Sequence, residues 1–283
     1  MNDFQIILVG ILVAISCAIL GCFLVLRKMA MVGDAISHAV LPGIVIAFLV
    51  VERFDSVFML VGAAILGVLT TLLIEFLHRQ GKLQTDASIG VSFTSLFALG
   101  VILISVFASQ VDIDADCVLF GEIAYVPLDV WRIDLGEGAV LNLGATAAWW
   151  IGSVLLIILV FVIAFYKEML LTTFDPSFAS AIGINTSVWH YSLMSLVSLA
   201  TVAAFESVGA VLVLSFLVVP PATAYLLTTN FKKMLVLSCL IGTVTAILGY
   251  YVASYLNASI AGTMTSVAGV IFAIIFVLVK FKK

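Results

Sequence analysis

Charge is scarce in this chain: Asp, Glu, Lys and Arg make up 10% of its 283 residues, hydrophobic residues 64%, and the mean hydropathy is +1.32. Soluble globular domains carry about a quarter of their residues as charged ones, so that class is excluded. The four cysteines, Cys17, Cys22, Cys117 and Cys239, form no CxxC and no Cys/His cluster, which argues against a disulfide framework. The chain also lacks a GxxxxGK[ST] phosphate loop; the nearest string, Gly81-Lys82-Leu83, has neither the upstream glycine nor the Ser/Thr that would hold phosphate and magnesium. A GxSxG nucleophile elbow and an HExxH helix are missing as well, so a membrane-embedded hydrolase is not supported and no enzymatic activity is expected. No internal repeat or low-complexity tract is evident, which removes the inverted-repeat argument used for many secondary transporters.

What is there is a series of apolar runs. A spanning helix needs about 20 mostly apolar residues. Nine stretches qualify, at approximately 4–26, 36–51, 57–77, 88–108, 140–165, 187–205, 208–229, 234–255 and 261–280. The second is short, and the sixth and seventh are compatible with one broken helix, giving an all-α bundle of eight or nine transmembrane helices in a single domain, 1–283. The first run, Ile6 to Leu26, continues into Arg27-Lys28 as a full-length span and is read as retained rather than as a cleaved leader. Lys and Arg are held on the cytoplasmic side. With the amino terminus outside and the carboxyl terminus cytoplasmic, ten of the twelve basic residues fall inside; only Arg53 and Arg132 fall outside, beside ten acidic residues from Asp3 to Glu137. The expected location is the cell membrane, with lipid as solvent and no nucleic-acid partner. Tyr125, Trp131, Trp149 and Trp150 are expected at headgroup level, and Ala63 with Gly67 suits close helix packing.

Within Gly33-Asp34-Ala35-Ile36-Ser37-His38-Ala39-Val40-Leu41-Pro42-Gly43 a carboxylate and an imidazole stand four residues apart in lipid-compatible sequence. On a helix that spacing puts both on one face, about one turn apart, where they can converge on a divalent cation. An Asp at a membrane-helix centre costs roughly 2.5–3.5 kcal/mol, so its presence is a functional-site hypothesis. The competing reading is a hydrogen-bonded pair that only supports packing. Pro42-Gly43 interrupts the helix, and irregular backbone in a membrane is tolerated where it lines a cavity or packs on protein. One Asp and one His are too few for a closed site, but two copies at a dimer axis offer two carboxylates and two imidazoles. Glu206 is a secondary candidate ligand, facing the pathway or sitting at an outer turn. His78 and His190 are expected at inner membrane edges.

The long polar interruption, about 109–138, contains Asp112, Asp114 and Asp116. It is not an EF-hand: position 6 from Asp112 is Cys117 instead of Gly, and position 12 is Ile123 instead of Glu. An acidic loop of this kind can concentrate cations at an entrance or dock a basic partner. On the opposite side, about 174–185, Asp175 is a plausible N-cap, Pro176 the first helical residue and Gly183 a left-handed terminator, which together predict a short capped helix.

The motif GDAISHAVLPG after Arg27-Lys28, Asp86-Ala87-Ser88-Ile89-Gly90 leading into the fourth span, and Pro220-Pro221-Ala222-Thr223-Ala224 in the seventh resemble the manganese/zinc/iron ABC-transporter permeases over essentially the whole chain. The segment from Asp116 to Leu128 resembles the manganese branch, including permeases that pair with a second, similar permease. The resemblance implies the membrane subunit of a binding-protein-dependent importer. Its cargo would be a divalent metal ion, most readily manganese, with zinc or iron as alternatives and nothing bound permanently. It implies separate cytoplasmic ATPase subunits, an extracellular or periplasmic metal-binding protein, and a second permease copy or similar chain. It also assigns Asp34 and His38 to the ion pathway, and Asp175, Pro176, Ala179 and Gly183 to contact with the ATPase. A proton-coupled secondary metal transporter is the alternative; dependence on ATP separates the two.

Overall fold

A computed structural model of the chain describes residues 2–39, 41–51, 56–107, 123–134 and 140–282. The protein is helical and, among the described residues, nine helical stretches are long and apolar enough to cross a membrane. The helices are α1 (Asn2–Leu26), α2 (Val32–Ala39), α3 (Leu41–Val51), α4 (Ser56–Arg79), α5 (Thr85–Phe107), α6 (Thr146–Ala164), α7 (Tyr166–Phe174), α8 (Pro176–Ala181), α9 (Thr186–Val208), α10 (Ala210–Leu227), α11 (Phe231–Leu256) and α12 (Ile260–Lys282). Helices α2 and α3 together make the second span, which begins at Val32, four residues before the expected start. The fifth span begins at Thr146 rather than near 140, because Val140–Ala145 is a strand, β2, paired antiparallel with β1 (Val130–Asp134). The sixth and seventh spans are separate helices joined by Gly209 alone, whose φ of 78° breaks the helix. On either side helical bonding persists, from the Gly209 amide to the Phe205 carbonyl and from the Val213 amide to the Gly209 carbonyl.

The chain divides into two compact units. One comprises Met1–Val25, Leu119–Val160 and Ala203–Lys283. Here small residues let helices approach closely. A Cβ at Gly21 of α1 would strike the Leu217 carbonyl and lie 2.8 Å from Pro221 Cγ; a Cβ at Gly249 of α11 would lie 2.5 Å from Met264 Cα of α12. Phe23 and Phe231 meet edge to face at 5.0 Å. Asn230 caps α11 by accepting from the amides of Lys232 and Lys233. Cys17, Cys22 and Cys239 are free thiols, while Cys117 lies outside the described residues.

The other unit comprises Leu26–Val118 and Phe161–Val202. Pro42 and Gly43, expected to interrupt the helix, instead lie within α3 and form a close junction. The Pro42 ring packs on Gly100 of α5, where an added Cβ would be 2.9 Å from Pro42 Cδ; Gly43 faces Gly62 of α4. The Pro42 ring serves here as a wedge between helices. A Cβ at Gly62 would lie 2.5 Å from the Gly43 carbonyl oxygen and 2.7 Å from Ala47 Cβ. Gly62→Ala is therefore expected to cost about 1–3 kcal/mol by overpacking, read as a lowered melting temperature in detergent. A variant that melts with the parent would remove this junction from the account of stability.

Candidate functional site

The apolar side of α2 sets the orientation of the rest: Val32, Ala35, Ile36 and Ala39 are buried. Asp34 and His38 occupy the remaining face at i and i+4, with His38 Nε2 3.4 Å from Asp34 Oδ1 and each side chain about one third exposed, 35% and 34%. Asp34 lies in the first turn, where the helix dipole favours an anion, and His38 in the last. Two donors bound to one tetrahedral ion at about 2.1 Å stand about 3.4 Å apart, so the pair already has the spacing of one edge of a coordination shell. Phe93 and Phe97 of α5 flank the imidazole, each ring 5.9 Å from it. Such apolar walls limit water access and strengthen electrostatic attraction to an ion. Among the described residues no group of three or more His, Cys, Asp or Glu converges to hold a metal.

The backbone of Glu206 lies in α9, three residues before Gly209; its side chain is outside the described residues, as are Asp112, Asp114 and Asp116. His78 is exposed, with Nδ1 2.9 Å from the Leu83 carbonyl. His190, expected at a membrane edge, instead turns inward: its Nε2 is 3.2 Å from Glu75 Oε2, with side-chain exposures of 17% and 9%. Glu75 is a site candidate the sequence reading missed. It is the sole acidic residue of the span Val61–His78, which is a usable signal.

The segment after α7 folds as its cap residues dictate. Asp175 Oδ1 accepts from the Phe178 amide at 2.9 Å, and Pro176 opens α8. At the other end Gly183 has φ +88°, its amide donates to the Ser180 carbonyl at 3.1 Å, and the Ile184 amide donates to the Ala179 carbonyl at 3.0 Å. That bond pair satisfies two terminal carbonyls and needs the left-handed residue glycine supplies most easily. Ala179 is fully buried, whereas Phe174, Phe178 and Ile182 are each more than half exposed. Upstream, Arg27, in the turn between α1 and α2, donates through Nε to Thr173 Oγ1 at 3.1 Å and through Nη2 to Thr172 Oγ1 at 3.2 Å. Both hydroxyls donate onward to the Met169 carbonyl. Burial lowers the guanidinium pKa to about 10.

Residues 4–279 match the ABC 3 transport family. The chain is 49% identical over 271 residues to the manganese transport system membrane protein MntD of Bacillus subtilis (strain 168), covering 96% of this chain and 90% of that protein. It is 39% identical over 272 residues to the zinc transport system membrane protein TroD of Treponema pallidum (strain Nichols), covering 96% and 72%. Among solved structures, PsaBC from Streptococcus pneumoniae in complex with Fab superposes with a TM-score of 0.77 at 32% identity, over 96% of this chain and 90% of the matched one.

Proposed function

The chain belongs to the ABC 3 transport family, and from that membership we propose that it is the multi-pass permease subunit of an importer for divalent transition-metal ions, manganese foremost. The observation that carries this reading is the Asp34/His38 pair: two metal-competent donors 3.4 Å apart, in a helix of a membrane span, against aromatic walls. The metal is cargo. The permease makes and breaks no covalent bond; it offers ligands that replace part of the ion's water and then release it, the general requirement for conduction. With one Asp from each of two permease subunits, two carboxylates balance the charge of a divalent ion. The second subunit is another copy or a similar chain, and residues 1–283 act as one permease domain. Carboxylate plus imidazole suits manganese, iron and zinc alike. The preference for manganese is supported by the name of the 49%-identical relative, and the zinc-transport relative keeps zinc in view.

The charge distribution supports an external amino terminus and a cytoplasmic carboxyl terminus, with Arg27, Lys28 and the 174–185 segment on the cytoplasmic side. On that side α8, with Asp175, Pro176, Ala179 and Gly183 fixing its shape, presents Phe174, Phe178 and Ile182 to a separate ATPase. On the outside, an extracellular metal-binding protein delivers the ion to the acidic face. ATP-driven closure of the ATPase pair re-orients the bundle. In liposomes holding this chain, its partner permease and the ATPase, with binding protein added, radiolabelled Mn2+ is expected to accumulate only when ATP is supplied. Accumulation by the chain alone, driven by a pH gradient, would replace this reading with the proton-coupled carrier.

A further inference from the structure

The second unit holds another acid–imidazole pair that the proposed pathway does not use. Glu75 of α4 and His190 of α9 place Oε2 and Nε2 3.2 Å apart, both more deeply buried than Asp34 and His38. The two helices meet at two levels with opposite chain direction: Gly67 meets Ser198 and, eight residues further along α4 and eight residues back along α9, Glu75 meets His190. At about 1.5 Å per residue the two levels are about 12 Å apart. The Gly67 level is also that of α2, because a Cβ at Gly67 would lie 3.4 Å from Ile36 Cγ2, and Ile36 sits between Asp34 and His38.

Sequence spacing puts Thr71 four residues from both Gly67 and Glu75 on α4, and Met194 four residues from both Ser198 and His190 on α9. Thr71 and Ser198 are both buried. Thr71 donates to the Val68 carbonyl and keeps its lone pairs, and Ser198 Oγ has no hydrogen-bond partner among the described residues.

We propose that Glu75 and His190 form a second divalent-cation station, near the α4 C-terminus and α9 N-terminus, that receives the ion after Asp34/His38. The donor spacing fits an edge of a coordination shell with metal–ligand bonds of about 2.1 Å. The ligand types are again those suited to manganese, iron or zinc. One carboxylate per chain holds the ion less firmly than two shared across a permease pair, which suits a station that must let go.

The inference rests on the metal-transport reading, and Mn2+ titration of the purified full-length chain in detergent, followed by the electron paramagnetic resonance of free Mn2+, tests it separately. The double variant Asp34→Asn/His38→Gln is expected to retain one class of Mn2+ site per chain. Adding Glu75→Gln or His190→Gln should weaken that residual site at least about tenfold, and adding Glu75→Asp, which keeps the carboxylate, should preserve it. Melting temperatures recorded on the same samples separate ligand loss from unfolding. If Glu75→Gln unfolds the chain, the comparison of Glu75→Asp with His190→Gln decides. Residual binding that is absent in the double variant, or unchanged by both Glu75→Gln and His190→Gln, overturns the proposal. ATP-driven uptake by a chain whose double variant binds no Mn2+ also overturns it and leaves the transport reading standing.

Discussion

Asp34→Asn is expected to bring ATP-driven Mn2+ uptake down to the background of empty vesicles while leaving the amount of protein in the membrane and its melting temperature unchanged. The side chains are nearly the same size, and Asp34 is about one third exposed, so packing has little to lose. What changes is charge. A carboxylate contributes a full negative charge to a divalent ion, and in the proposed permease pair both would be lost when both subunits carry the substitution. Supporting groups that touch only a ligand already cost 10–100-fold when removed. A ligand that carries the charge balance should cost more. If Asp34 only bonded His38 to steady α2, the amide oxygen of Asn could accept from the same ring nitrogen and transport would persist. Parental uptake by the variant would thus take the pair out of the mechanism.

Phe178→Asp is expected to separate transport from ATP hydrolysis. Phe178 is 53% exposed, and its part in the fold is to give its backbone amide to Asp175, which any residue except proline can do. The substitution should leave melting unchanged yet put a charge where an apolar contact with the ATPase is proposed. Truncating a central aromatic anchor of an interface costs about 2 kcal/mol or more, roughly 30-fold in affinity. Co-purification of the ATPase with the detergent-solubilised variant is the measurement. Full retention of the ATPase together with parental uptake would show that α8 is an ordinary loop helix.

Much of the architecture follows from the sequence because the bilayer imposes one rule, about 20 apolar residues per crossing, and the charges at helix ends follow another. The cap chemistry of α8 was equally legible: Asp175-Pro176 and Gly183 each have few alternative uses in a chain, and the structure gives them the expected bonds. Boundaries were harder where hydrophobicity and structure part. Val140, Leu141 and Leu143 extend an apolar run, so they read as helix, yet their backbone groups pair with Val130–Asp134, a choice made by a partner segment and not by local propensity. Val32 opens the second span earlier than hydropathy indicates because Asp34 lowers the local average while remaining helical. The metal-competent pair on α2 needed only one-turn spacing to be found. The Glu75–His190 pair depends on two helices distant in sequence meeting at one level, and nothing local to either residue reports the other.

Arg27 bears on behaviour under acid stress. Its guanidinium, with a pKa near 10, is charged at any pH a cell tolerates, and its acceptors, two threonine hydroxyls, do not titrate in that range. The strut between the α1–α2 turn and the run-up to α8 is consequently indifferent to proton concentration. A mildly acidic medium would leave that joint intact.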